Sequence, residues 1–221
     1  MTRNAKISII LVSVVVLGAA VAIGLGSSDD GGSEVAGQKT GSDGGAQLLR
    51  GDSHRLSTGP ADAPELVEFL DFECEGCGAL YPIMEQLRSE YDGEVTFAIR
   101  YFPNEGHFNA MNSALAVEAA ARQGKLEQMY EKMFETQGEW GEAQESKAAV
   151  FAGFAQELGL DMAQYRRDVA DPKVGDRIER DRDEGLALGV EGTPALFLDG
   201  ETLTPESHEQ LKAEIDAALA Q

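Results

Sequence analysis

The chain has 221 residues, 43% of them apolar, enough for one catalytic domain with a real core and too many for a wholly disordered chain. Its 39 acidic residues against 18 basic ones give a formal charge of −21, a field that repels nucleic acid and anionic headgroups. No basic patch with interleaved aromatics interrupts it, so nucleic-acid binding is excluded.

Arg3 and Lys6 precede an uncharged stretch from Ile7 to Ser28, ISIILVSVVVLGAAVAIGLGSS. About 20 such residues span a hydrocarbon core of ~30 Å as a helix. Residues 1–6 therefore read as a cytoplasmic N-terminus and 7–26 as a transmembrane anchor. Asp29 and Asp30 follow on the far side, so the remainder is expected outside the cytoplasm at the cell membrane. A cleavable signal peptide ending near Ala20-Val21-Ala22 is the competing reading, and it places the domain in the same compartment. Residues 27–50, rich in Gly, Ser and Asp, read as a flexible linker. Arg50-Gly51-Asp52 spells an adhesion tripeptide, which at three residues is a chance match.

The domain is expected over 51–221. Leu66-Val67-Glu68-Phe69-Leu70 is an apolar run after Pro64, as in a strand covered on both faces. A helical pattern follows Cys74, with Leu80, Ile83, Met84 and Leu87 on one face. Glu94–Phe102 alternates as a strand, Val95, Phe97, Ile99 and Tyr101 sharing a side. A helical block comes next, about 106–189: Asn109–Arg122, Lys125–Thr136, Lys147–Leu158, Met162–Val169 and Pro172–Leu188. Breaks fall at Gly124, Gly138–Gly141 and Gly159. Along the last helix, Asp176, Arg180 and Glu184 recur at four-residue spacing and read as a solvated face. Ala195–Leu198, Asp199-Gly200 and Glu201–Leu203 form a hairpin signal, because Asp-Gly suits a type I′ turn. An amphipathic helix over Pro205–Ala220 ends the chain. With the block removed, βαβ followed by ββα remains, so the predicted class is α/β: a thioredoxin fold with an inserted helical domain.

The two cysteines of the chain form Cys74-Glu75-Gly76-Cys77. As a structural disulfide the bridge would close too small a loop to stabilise much. As a zinc site it would need further ligands, and His54, His107 and His208 have no ligand-like spacing. As a redox dithiol it needs nothing more. Between a strand and a helix N-terminus, the free N–H groups and dipole favour a thiolate at Cys74. No metal and no cofactor is expected. Gly192-Thr193-Pro194 precedes a strand and reads either as plain loop punctuation or as a cis proline facing the cysteines, whose preceding backbone pairs with an extended peptide. Glu68 lies inside an apolar strand six residues before Cys74. Burial would raise its pKa and fit it to take a proton from Cys77, against a purely structural carboxyl. Asp71 and Glu73 read as turn and helix-entry residues, His107 as loop packing, and Trp140 as core.

VEFLDFECEGCGALYP, IRYFPNEGHFNA and VEGTPALFLDG together resemble the DsbA-type thioredoxin-fold disulfide oxidoreductases of bacterial envelopes, especially membrane-anchored forms, from about Arg55 onward. The resemblance implies Cys74 as exposed nucleophile, Cys77 as buried partner, Pro194 as the cis proline, and Thr193 in contact with substrate backbone. It also implies reduced secreted or envelope proteins as clients, and a membrane re-oxidant of DsbB or vitamin K epoxide reductase type. Glu75-Gly76 stands where the best-known oxidases have Pro-His. A carboxylate there would oppose the thiolate and make the couple less oxidising, so Glu75 and Gly76 are read as redox-tuning positions. Thr193 also resembles the isomerase and reductase branches, whose isomerases carry an N-terminal dimerisation module not seen here. A monomeric oxidase is therefore expected, with a reductase or isomerase, or a non-enzymatic tethered peptide- or metal-binding module, as alternatives.

Overall fold

The computed structural model describes residues 46–221; residues 1–6, the expected anchor over 7–26 and the linker as far as residue 45 lie outside the described residues. Among those described, no helix is long and apolar enough to cross a membrane. The described residues run β1 His54–Ser57, β2 Glu65–Leu70, α1 Glu75–Glu90, β3 Thr96–Tyr101, α2 Ala110–Ala121, α3 Leu126–Glu135 and α4 Gln137–Trp140. They continue α5 Ala148–Glu157, α6 Met162–Asp168, α7 Pro172–Ala187, β4 Ala195–Leu198, β5 Glu201–Leu203 and α8 His208–Leu219.

The strands form a mixed sheet in the order β1-β3-β2-β4-β5. β2 lies at its centre, parallel to β3 in the register Leu66↔Phe97 to Leu70↔Tyr101 and antiparallel to β4 in the register Leu66↔Leu198 to Phe69↔Ala195. Both faces of β2 are covered, which is why its apolar residues run without alternation. Leu66 packs with Met84 and Leu87 of α1 and with Leu211 and Ile215 of α8, while Val67 and Phe69 share the opposite cluster with Ala98, Phe102 and Phe197. β1 was not legible as a strand. It is a four-residue edge element, half-buried throughout and carrying a register shift, so it lacks the alternation that marks longer strands.

The helical block lies between β3 and β4, as expected. α2 is apolar nearly all round and correspondingly buried, its alanines packing against α3, α5 and the cysteine end of α1. Caps set the later boundaries: Asp161 accepts from Ala163 and Gln164 N–H at α6, and Asp171 accepts from Lys173 N–H at α7 with Pro172 behind it. The break expected over Gly138–Gly141 holds one helical turn, α4. At the β4–β5 hairpin, Asp199 and Gly200 both have positive φ, 51° and 92°, as a type I′ turn requires.

Two expectations are corrected. Residues 46–50, assigned to the linker, are packed: Leu48 and Leu49 lie against the core, and the buried Arg100 donates to the Gln47 and Leu48 carbonyls at 2.8 and 2.6 Å. The second correction is partial: on the α7 face Asp176 and Arg180 are exposed as expected, whereas Glu184 is half-buried and ion-paired with Arg50 and Arg100; Asp181, outside that spacing, is fully buried against Arg100 at 2.9 Å. Four-residue charge spacing marks a helix face but not what lies opposite it, and here the opposite surface is the sheet.

Candidate active site

The chain leaves β2 at Leu70 and turns through Asp71-Phe72-Glu73 into α1, with Cys74 as the N-cap residue in extended conformation. No side chain caps this helix, so its first N–H groups are free to face the Cys74 sulfur. Those of Gly76 and Cys77 bond it. Cys74, expected to be exposed, is nearly buried at 9% because the Thr193-Pro194 loop lies against it, and Cys77, one turn inside, is fully buried. Both cysteines are free thiols.

Their environments push the two thiols apart. Cys74 is lowered to about 5, first by the hydrogen bond from Cys77, against the opposing effect of burial, and then by Thr193 and the backbone N–H groups. Cys77 is raised strongly by burial, by that same hydrogen bond and by the charge of Glu68. One thiol is therefore poised as thiolate and the other held as thiol, which is what stepwise thiol exchange requires.

The Thr193–Pro194 bond is cis, and the Cys74 S–H reaches the Thr193 carbonyl at 3.2 Å. A Cβ on Gly76 would stand 3.0 Å from Pro194 Cδ, so the glycine lets the cysteine loop and the proline loop meet. Thr193, Pro194, Gly76 and Cys74 are thus brought together. Glu75 is exposed, and water screens the opposition expected of it.

Glu68 sits mid-strand between Ile99 of β3 and Leu196 of β4, 2% exposed. Burial raises it to about 8, with further contributions from the charges of Cys74 and Glu85. Its carboxyl is therefore protonated at neutral pH, close enough to both sulfurs to feel their charge.

Five residues hold the site that spacing did not single out for it. Asp71, read as a turn residue, is buried and binds four donors: the Glu73 N–H on one oxygen (2.9 Å), and the Asn104 N–H, the Asn104 amide and His107 Nδ1 on the other (3.0, 3.0 and 2.6 Å). Asn104 also donates to Thr193 Oγ1 at 2.8 Å, tying the proline loop to the loop after β3. Gln137 of α4 donates to the carbonyls of Phe72 and Cys74 at 2.7 and 2.9 Å. Gly78 leaves room for it, since a Cβ there would fall 2.0 Å from Gln137 Oε1. Glu73 is likewise buried, accepting from Asn109 N–H at 2.5 Å. His107 packs its loop through the bond to Asp71, as expected, and with Phe108, which is 53% exposed, also lines a cavity of about 380 Å³ that opens onto Cys74. Trp140 is core, packed edge-on to Phe151. Among the described residues no group of three or more His, Cys, Asp or Glu side chains is arranged to hold a metal ion.

The geometry agrees with what the chain is similar to. Over 146 residues it is 34% identical to a Na(+)/H(+) antiporter NhaA of Herminiimonas arsenicoxydans, a match covering 66% of this chain and 22% of that protein. The chain thus spans less than a quarter of that relative's length. A thioredoxin-like oxidoreductase from Silicibacter pomeroyi superposes with a TM-score of 0.62 at 25% identity, over 76% of this chain and 93% of that one. The alpha-DsbA1 structure of Wolbachia pipientis superposes with a TM-score of 0.68 at 16% identity, over 78% of this chain and 94% of that one, a likeness of fold. A family model described as thioredoxin matches residues 52–217, three quarters of the sequence and the whole of the sheet and site described above, and the chain belongs to that family.

Proposed function

We propose that this protein is an extracytoplasmic thiol–disulfide oxidoreductase that introduces disulfides into secreted or envelope proteins through Cys74 and Cys77. The single observation that carries the direction is the place of Cys74 at the uncapped N-terminus of α1, where free N–H groups favour its thiolate. Whatever stabilises the dithiol form relative to the disulfide makes the disulfide a stronger oxidant.

In the reaction, a client thiolate attacks the Cys74 sulfur of the Cys74–Cys77 disulfide. That bond breaks, a mixed disulfide forms at Cys74, and Cys77 leaves with the electron pair and takes a proton. Glu68, protonated at neutral pH and within reach of the charge on Cys77, supplies that proton, and takes it back when Cys77 attacks in the reverse sense. A second client thiolate then attacks the client sulfur of the mixed disulfide and releases Cys74 as thiolate. Two electrons have passed to the dithiol, and a membrane partner of DsbB or vitamin K epoxide reductase type removes them. An extended client segment pairs with the Thr193 backbone during the exchange. Arg3 and Lys6 before the apolar stretch support a single-pass anchor with the domain outside.

Equilibration of the purified domain with glutathione buffers tests the direction. The potential is expected well above the roughly −270 mV of thioredoxin, with stoichiometric oxidised protein restoring disulfides to a reduced client. A potential at or below that of thioredoxin would make the protein a reductase.

A further inference from the structure

Among the described residues, the cavity onto Cys74 has one basic side chain in its lining, His107. Its ring is clamped by the bond from Nδ1 to Asp71 Oδ2 at 2.6 Å, and Asp71 cannot move, being buried and bound to Glu73 and Asn104. From Asp71 the connection runs through the Asn104 amide to the Thr193 hydroxyl, on the residue whose carbonyl lies 3.2 Å from the Cys74 sulfur. The geometry therefore fixes a titratable ring at the mouth of the nucleophile's cavity and ties its clamp to the loop beside the nucleophile.

We infer that His107 is a redox-tuning residue: held by Asp71, its imidazolium stabilises the Cys74 thiolate from across the cavity, outside the loop between the cysteines. Gly76 offers no alternative position, since a side chain there would press on Pro194 at 3.0 Å. The surroundings favour the charged form of His107. From the turn it faces Asp71, Glu73 and Cys74, and across the cavity Glu75 and Glu142. Its own loop adds Glu105, and α7 adds Glu179 and Asp183 beside Arg182, whose charge is engaged by Glu105 at 2.7 Å. Burial works against the imidazolium, but the hydrogen bond and charge of Asp71, then the charges of Cys74 and Glu73, raise His107 above its ordinary value. The interaction is mutual: a charge that the thiolate favours favours the thiolate. It adds to the hydrogen bonds that dominate at Cys74, and acts at every pH where Cys74 is ionised and His107 still protonated.

This inference rests on the exchange reaction proposed above, yet its test does not need a client. The reduced protein is titrated by thiolate ultraviolet absorbance, and its equilibrium with glutathione is measured. His107→Gln keeps a donor for Asp71 without the charge, and His107→Lys keeps a charge without the ring. The His107 side chain is 34% exposed, so neither change disrupts the core. In His107→Gln the thiolate fraction on the acidic limb should fall about tenfold, the lower end of what a neighbouring opposite charge produces. The glutathione equilibrium should move about tenfold toward the disulfide, or about 30 mV toward reducing. His107→Lys should restore most of both. An unchanged titration in His107→Gln, or equal shifts in both variants, would overturn the inference. Failure to oxidise clients with the titration shift intact would overturn the proposed function instead.

Discussion

At the residue scale, the site is an asymmetry between two sulfurs three positions apart. Cys74 faces the cavity, bonded by N–H groups and lowered to about 5, whereas Cys77 is fully buried in the first turn of α1 and raised. Alkylation of the reduced protein at mildly acidic pH should therefore label Cys74 first. Cys77→Ala should trap mixed disulfides with clients on Cys74, and Cys74→Ala should trap none, as mass spectrometry of non-reduced adducts will show; faster labelling of Cys77 would reverse the roles. These residues were legible because the two cysteines follow one strand and Thr193-Pro194 immediately precedes another, whereas the second Thr-Pro, Thr204-Pro205, follows β5 and leads toward α8. Asp71, Asn104, His107 and Gln137 were not. Their bonds join loops 30 to 90 residues apart, and a side-chain hydrogen bond across that distance leaves no periodic trace in either segment.

At the scale of elements, α7 is fixed to the sheet by charge and by close approach. Asp181 is fully buried and accepts from Arg100 at 2.9 Å, from the Tyr101 N–H and Arg177 at 3.2 Å, and from Arg50. Gly185, one turn on, allows contact with Phe69 and Phe102, where an added Cβ would fall 2.9 Å from each ring. Asp181→Asn removes the charge that balances a buried guanidinium, a change that costs about 3 kcal/mol or more. Denaturant unfolding should show that loss, little altered by added salt. The half-exposed Arg180–Asp52 pair on the same helix is the control, and Arg180→Ala should cost less than about 1 kcal/mol. Helix positions were read well from apolar period and glycine breaks, because those signals are local. On the charged face Asp176 and Arg180 are exposed as read and only Glu184 was misread, because burial of a charge depends on the element packed over it.

For the whole molecule, stability becomes coupled to redox state. The folded thiol at Cys74 sits near 5 against an ordinary value of about 9, so its contribution is complete above about 9 and lost as pH falls through about 5. The disulfide form has no such group. Glu68, held up to about 8 chiefly by burial, titrates in both forms, and most of its effect cancels in their difference. Melting of the reduced form should thus gain on that of the oxidised form as pH rises from about 5 to 9, with no further change below 5. Parallel melting curves across that range would contradict the stabilised thiolate. The overall architecture was legible for a simple reason: strand, helix, strand, then hairpin and helix is a sparse pattern, and a helical block between its halves leaves it intact.

The recessed position of Cys74 also sets an order in time. Cys74 as a residue is 9% exposed and lines a cavity together with Gly76, His107 and Phe108. For the exchange proposed here, a client cysteine on an extended segment meets so enclosed a residue more readily than one set in a folded surface. Client oxidation should therefore be faster before the client folds than after.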